Sequence, residues 1–442
     1  MSLSAKQLDL VKTRAISVLH TNDLGSATRP APELYPHQWN WDSAFIAMGL
    51  AHFDPPRAQV EIRSLLAGQW RNGMIPHIIF NPEADSYFPG PEWWDVRSST
   101  DAPQTILTSG ITQPPVLAWA AYQIYVYSPD KTEAQQFLSS IYTQLMESYR
   151  FFRLNRVTDD TGLVCIIHPW ESGLDNAPIW DSVLERIAAE PDTSVSRTDV
   201  DLIPDQERPT ELDYSRYTSL VRLFKRYKYS QVRILEEGPF LIQPVMFNAL
   251  LNRDLEAMIK IGGFLGRNDD QIRSWYEQMN SNFDDRFLDP ATGLYQDYDC
   301  RTETSIQKDT FSGFIPIFTD IPSAQTIDRL ASYLASPETF WPAAGFPIPT
   351  VALDSGDFDP VRYWRGPVWI NINWLVIRGL LRHGYIKQAL SLMERTIELV
   401  QENGFFEYFH PMTGAGHGSD NFSWTAALII DLIEEYSDRL KD

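Results

Sequence analysis

Basic residues are scarce in this chain, cysteine is scarcer, and no long uninterrupted apolar run occurs in its 442 residues. Lys and Arg number 37 against 58 Asp and Glu, a formal net charge of -21. Phosphate backbones and anionic headgroups are bound through an excess of Lys and Arg, so nucleic acid and membrane surfaces are not expected partners. No stretch approaches the roughly 20 apolar residues of a membrane span. The segment from Met1 to Asn22 mixes Lys6, Asp9, Lys12 and Arg14 with leucines at helical spacing, unlike a secretion signal. Two cysteines, Cys165 and Cys300, lie far apart in the sequence, and a chain of this size needs no disulfide for stability. A cytoplasmic protein with two reduced thiols is expected. His37, His77, His168 and His410 lack metal-ligand spacing, and neither a phosphate-cradling Gly-rich loop nor a Gly-x-Ser-x-Gly elbow is found. No metal and no cofactor are expected. The acids Asp284, Asp285, Asp289, Asp297 and Asp299 do not follow the twelve-residue calcium-loop pattern, and a solvated acidic loop is the expectation for them.

What the chain does have is apolar and aromatic content, 43% and 13% of residues, with 14 tryptophans. That is ample for a large core. Apolar positions recur at helical spacing over Gln7–Val18, Trp41–Ala51, Arg57–Gln69, Pro115–Val126, Ala134–Phe152 and Tyr214–Tyr227. The pattern continues over Pro244–Leu265, Gln271–Phe283, Ala324–Leu334, Val368–Arg382, Ile386–Gln401 and Phe422–Leu440. Two-residue alternation is confined to short runs such as Ile75–Phe80, Leu163–Ile167 and Phe405–Phe409. Asn72-Gly73, Ala344-Gly345 and Asn403-Gly404 each precede apolar extended sequence, and these glycines fit left-handed helix C-caps. Repeated helix pairs with matched junctions predict an all-α toroid of alternating inner and outer helices, with a bowl of loops at one end. No Pro/Ser/Gly linker divides the chain, so residues 1–442 are expected to form one domain. The aperiodic stretch 185–209 is expected to be a loop or lid over the bowl. Oligomeric state is not legible in the periodicity, and a homo-oligomer is left open.

Two acids far apart in the chain stand among aromatics. Asp175 lies in Trp170-Glu171-Ser172-Gly173-Leu174-Asp175-Asn176, and Glu407 in Phe405-Phe406-Glu407-Tyr408-Phe409. Burial against indole faces keeps a carboxyl protonated, as a general acid requires, and an acid on an apolar strand face is costly unless paired or used. Ordinary turn or rim roles compete with this for both residues, and Glu171 and Asp181 are rivals for the acid. In Tyr35-Pro36-His37-Gln38-Trp39-Asn40-Trp41-Asp42, the indoles Trp39 and Trp41 alternate with polar groups, the arrangement of a sugar platform. Asp42 there could instead cap a helix. Tyr363-Trp364-Arg365-Gly366-Pro367-Val368-Trp369 repeats the logic before another helix. Tyr87, Trp94 and Gln113 are weaker candidates, and Arg208 or Arg365 could clamp a carboxylate in a chain this acidic.

Taken together, these segments resemble glycoside hydrolase family 63, in particular its mannosylglycerate and glucosylglycerate hydrolase branch. The resemblance also rests on Gln69-Trp70-Arg71-Asn72-Gly73-Met74-Ile75-Pro76-His77, Tyr87-Phe88-Pro89-Gly90-Pro91, Leu107 to Pro115 and Ser423-Trp424-Thr425-Ala426-Ala427, and it runs from about residue 20 to the C-terminus. It implies an (α/α)6 barrel and hydrolysis with inversion at a small α-glycoside, with general acid Asp175 and general base Glu407. Sugar contacts would fall to Tyr35, Trp39, Trp41, Trp170, Gly173, Trp364 and Trp369. A glycerate end would meet Asp42, Tyr87, Gln113, Arg208, Tyr214 and Tyr363, with Arg208 supplying positive charge. Glucosylglycerate hydrolases carry Gln immediately before Ser-Trp-Thr, whereas this chain has Phe422, which removes one polar sugar contact. A neutral α-glucoside as substrate and a non-catalytic sugar-binding toroid are the competing readings.

Overall fold

The computed structural model describes residues 3–84, 87–190, 197–267 and 269–439. Each segment with helical periodicity lies on a helix, its ends shifted by a few residues. Numbering only helices of eleven residues or more, these are α1 Ala5–Asn22, α2 Asn40–Leu50, α3 Pro55–Ala67, α4 Leu117–Tyr127, α5 Lys131–Asn155 and α6 Glu211–Arg226. They continue as α7 Val245–Phe264, α8 Asp270–Phe287, α9 Ala324–Leu334, α10 Ile370–Arg382, α11 Ile386–Asn403 and α12 Ser423–Arg439.

An inner ring runs α2, α4, α7, the 3₁₀ segment Phe311–Phe318, α10 and α12, and it closes where α12 packs on α2. Outside it, α3, α5, α8, α9 and α11 each cover the inner member that precedes them, which for α9 is the 3₁₀ segment, and α1 covers α12. This is an (α/α)6 barrel in which the first helix completes the last pair. The inner helices are apolar nearly all round because both faces are covered: all eleven residues of α2 are buried. The ring closes through small residues, since a Cβ on Gly49 of α2 would come within 2.5 Å of the Ala427 backbone of α12. One inner position departs from the periodic reading. All eight residues of Phe311–Phe318 are buried, and Pro316 within them removes an N–H and obstructs a continued α-helical turn.

Other expectations need correction. The alternating runs yield only two-residue strands, Ile78–Ile79 paired antiparallel with Gln38–Trp39, and Tyr408–Phe409 with Gly416–His417. Leu163–Ile167 forms isolated bridges, because most of its hydrogen-bonding groups go to loops and side chains. Gly404 does cap α11, but with φ 97 and ψ -171 it lies outside the left-handed helical well, and Gly73 and Gly345 sit in loops rather than on helix ends. Asp297 and Asp299 are not solvated. Both are buried, Asp297 accepting the Val245 N–H at 2.8 Å and Asp299 paired with Arg186. Among the described residues no helix is long and apolar enough to cross a membrane.

Candidate active site

The bowl is built where chain enters the inner helices. Trp39 ends a two-residue strand and α2 begins at the next residue, so Trp41 and Asp42 fall in its first turn. Trp39, not Asp42, occupies the N-cap position, which makes no side-chain cap bond. Gln113 lies just ahead of α4, Tyr363 and Trp364 ahead of α10, and Trp424 in the first turn of α12. These approaching segments, with their helix N-termini, favour negative charge in the bowl.

Asp175 is delivered by a 3₁₀ turn, Pro169–Ser172, that ends at Gly173 with φ +72. The glycine is required twice, by that dihedral and because a Cβ would come 2.4 Å from the Trp41 ring. The neighbouring rival Glu171 turns away from the pocket. Its carboxylate accepts the Arg156 Nη2 at 2.9 Å and the Ile167 N–H at 2.9 Å, and both members of the ion pair are fully buried. Removing one partner of such a pair costs about 3–5 kcal/mol, which marks Glu171 as an anchor of the turn. Asp181 likewise is occupied by Arg365, two bonds of 2.8 Å, so neither serves as the pocket acid and Arg365 is not the pocket clamp. Asp175 itself keeps part of its surface open. Burial pushes its carboxyl up to about 7, with Arg208 opposing and Glu407 adding to the rise.

Glu407 precedes the Tyr408–Phe409 strand and is 1% exposed. Tyr35 Oη donates to its Oε1 at 2.8 Å and the Ser419 N–H to its Oε2 at 3.1 Å, with Arg208 Nη1 at 3.9 Å. Burial raises its carboxyl, while the guanidinium and these donors act against that rise. Arg208 is itself buried and fixed: its Nε donates to Asp199 at 3.0 Å, its Nη1 to Tyr35 Oη at 3.0 Å, and its plane lies over the Tyr363 ring at 4.3 Å. Asp199 is in turn held by Arg197 through bonds of 2.7 and 3.1 Å. The stretch 185–209 is therefore no bare loop where described. It carries two short helical turns and a buried Arg-Asp-Arg run, while residues 191–196 lie outside the described part.

One pocket, about 640 Å³ with its mouth included, brings these groups together. Asp175, Glu407, Tyr35, Trp39, Trp41, Asp42, Tyr87, Gln113, Trp170, Gly173, Arg208, Tyr214, Tyr363 and Trp364 all line it. Trp369 does not. It stacks behind Trp364, centroids 3.7 Å apart and planes 6° apart, and bonds the Tyr363 carbonyl at 3.0 Å, so it backs the platform instead of facing the cavity. Trp94 is wholly buried outside the lining set. Tyr363 sits at φ +42, a dihedral costly for a non-glycine residue, kept by the packing of this platform.

The sequence does not single out His77, Trp424, Pro30 and Pro89 as wall residues, while Phe422, expected to replace a polar sugar contact, does line the pocket. His77 and Trp424 stand beside aromatics and polar groups in motif segments, a signal that could have found them, whereas the prolines offer none. Burial pushes His77 down to about 3, so it presents a neutral imidazole. Among the described lining residues Arg208 is the only Lys or Arg. Among the described residues no cluster of three or more His, Cys, Asp or Glu could hold a metal ion. The arrangement offers a carboxyl protonated near neutrality, a second carboxyl held by a cation and two hydrogen-bond donors, aromatic faces and one buried guanidinium.

Comparison with known proteins gives the family and the fold. The family described as "Mannosylglycerate hydrolase MGH1-like glycoside hydrolase domain" matches residues 35–425. A mannosylglycerate hydrolase of Rubrobacter radiotolerans is 38% identical over 97% of this chain and 97% of its own. A glucosylglycerate hydrolase of Mycolicibacterium hassiacum is 35% identical over 95% of this chain and 96% of its own. The crystal structure of a GH63 mannosylglycerate hydrolase from Thermus thermophilus with Tris and D-glycerate superposes with TM-score 0.89 at 37% identity, covering 95% of this chain and 99% of that one. The same enzyme with glucose gives TM-score 0.87 at 38% identity over 96% and 99% of the two chains.

Proposed function

Because the chain belongs to the mannosylglycerate hydrolase MGH1-like glycoside hydrolase family and is a glycoside hydrolase, we propose that it cleaves an α-linked hexosylglycerate to free hexose and glycerate, with inversion. Asp175, protonated up to about pH 7, gives its proton to the glycosidic oxygen as the C1–O bond breaks. Glu407 takes a proton from a water whose oxygen attacks C1 from the opposite face. Asp175 is left ionised and Glu407 protonated, and exchange with solvent restores both. Trp39, Trp41, Trp170 and Trp364 supply faces for the ring, and Tyr363 and Tyr35 hold Arg208 and Glu407 in register.

The observation that carries the choice of aglycone is Arg208, buried at 3% exposure in a pocket otherwise rich in carboxyls. A guanidinium there matches the carboxylate of glycerate and has no comparable partner on a neutral glucoside. Arg208 stands at the end of the described stretch 197–209, where Asp199, itself held by Arg197, fixes it. The test compares Arg208→Ala on a hexosylglycerate and on the matching hexosylglycerol. We expect kcat/KM to fall about a hundredfold or more on the anionic substrate, where a charge-assisted contact is lost, and by a smaller factor on the neutral one. Equal losses on both would return the neutral α-glucoside reading. Release of hexose and glycerate in equal amounts, followed by NMR, separates both from a binding toroid.

Glucose and mannose differ only at C2, and Phe422 puts an apolar ring into the pocket wall, 5.9 Å from Tyr35 centroid to centroid. Phe422→Gln supplies a hydrogen-bonding amide there. The expected result is a rise of about tenfold in the kcat/KM ratio of glucosylglycerate over mannosylglycerate, the worth of one hydrogen bond. An unchanged ratio places the discrimination elsewhere in the wall.

A further inference from the structure

The only two cysteines of the chain, far apart in sequence, meet in space. Cys165 Sγ and Cys300 Sγ are 3.5 Å apart and unbonded. Their backbones flank the same short strand. The Ile166 N–H donates to the Ile242 carbonyl at 2.7 Å, Ile242 pairs with Asp299, and the Cys300 N–H donates to the Leu241 carbonyl at 3.0 Å. Both sides are thus pinned, and the sulfurs need only close from contact to the roughly 2.05 Å of a disulfide.

The two thiols are unequal. Cys165 is wholly buried, with Thr158 Oγ1 at 3.4 Å, while Cys300 is half-buried. The hydrogen bond from Cys300 lowers Cys165, and the same bond together with burial pushes Cys300 up. Cys165 is thus the better nucleophile of the two and Cys300 the less buried one.

We propose that Cys165 and Cys300 form an oxidisable dithiol site, closed into a disulfide by small hydroperoxides, with Cys300 as the entry sulfur and Cys165 as the resolving one. Cys300 thiolate attacks the peroxide, giving Cys300 sulfenic acid and water when the oxidant is hydrogen peroxide. Cys165 thiolate then attacks Cys300 Sγ, the S–S bond forms, and hydroxide leaves and is protonated. Two thiols and one peroxide give one disulfide and two waters. The raised Cys300 thiol makes the first step slow, which suits a site that answers sustained oxidation. The bond would lock the extended segment that precedes the Asp175 turn, since the Ile167 N–H holds Glu171 and the Cys165 N–H holds the carbonyl of Arg156, the ion partner of Glu171.

The full-length native protein is treated with hydrogen peroxide, and intact mass, free thiols and dimedone adducts are followed. We expect the wild type to lose about 2 Da and both thiols together, reversed by dithiothreitol, with no dimedone adduct. Cys165→Ser is expected to trap Cys300 as a dimedone-reactive sulfenic acid. Cys300→Ser leaves only the buried sulfur and is expected to stay unreacted over the same time. Two surviving thiols in the wild type, or a dimedone adduct on its Cys300, would overturn the proposal. So would a Cys300→Ser variant that reacts as fast as the wild type.

Discussion

Asp175→Asn lowers kcat on a hexosylglycerate about a thousandfold or more, while turnover of the corresponding α-glycosyl fluoride stays within about tenfold of wild type. Fluoride leaves without being protonated, so the loss of a general acid is invisible to it. The same residue sets the alkaline limb of kcat/KM for the natural type of substrate. With its carboxyl pushed up to about 7, activity falls as pH rises past that value, and this limb is absent with the fluoride. Stability moves in the same direction, over a lower pH range. The folded value lies above the 3.8 of an ordinary aspartate, so the folded protein holds the proton longer and the stability it lends is lost as pH climbs from about 4 to about 7. Asn carries no charge to desolvate. Asp175→Asn therefore melts higher than wild type above pH 7, by at most about 4 kcal/mol of stability for three pKa units, and the gap closes near pH 4. A thermal unfolding series across pH reads this directly. A variant less stable at pH 8 than the wild type would contradict the burial argument.

Glu407→Gln is expected to abolish turnover of both substrates, by about a thousandfold or more each, because the attacking water needs a base whatever the leaving group. Rescue by the fluoride would assign Glu407 the acid role and reverse the two residues. The contrast between the variants, one bypassed by leaving-group chemistry and one not, distinguishes the roles more sharply than loss of activity alone. Retention of fold is expected in both, since Asn and Gln keep the shape of the acids they replace.

Much of the fold was legible because the outer helices are amphipathic and the inner ones uninterrupted, so periodicity or apolar length reveals both. The 3₁₀ inner segment was not, because eight apolar residues around Pro316 carry neither helical period nor length. The site was legible where aromatics alternate with polar groups at helix entrances, as at Trp39 to Asp42. Sequence could not say which tryptophan faces the cavity: Trp364 and Trp369 have the same composition around them, and only packing puts one behind the other. It could not separate Asp175 from Glu171 and Asp181 either, since the cations that occupy the latter two, Arg156 and Arg365, come from distant or unpatterned positions. The meeting of the two cysteines was likewise hidden, because lateral neighbours across a shared strand leave no spacing signature.

The most direct test of the two-carboxyl mechanism is the anomeric form of the first hexose released, followed by proton NMR at early times before mutarotation. Two carboxyls facing each other across a pocket with room for water, roughly 6.5 to 9.5 Å apart, deliver β-hexose from an α-linked substrate. First appearance of the α-anomer would mean that one acid attacks the sugar itself, and would contradict the roles of Asp175 as general acid and Glu407 as general base.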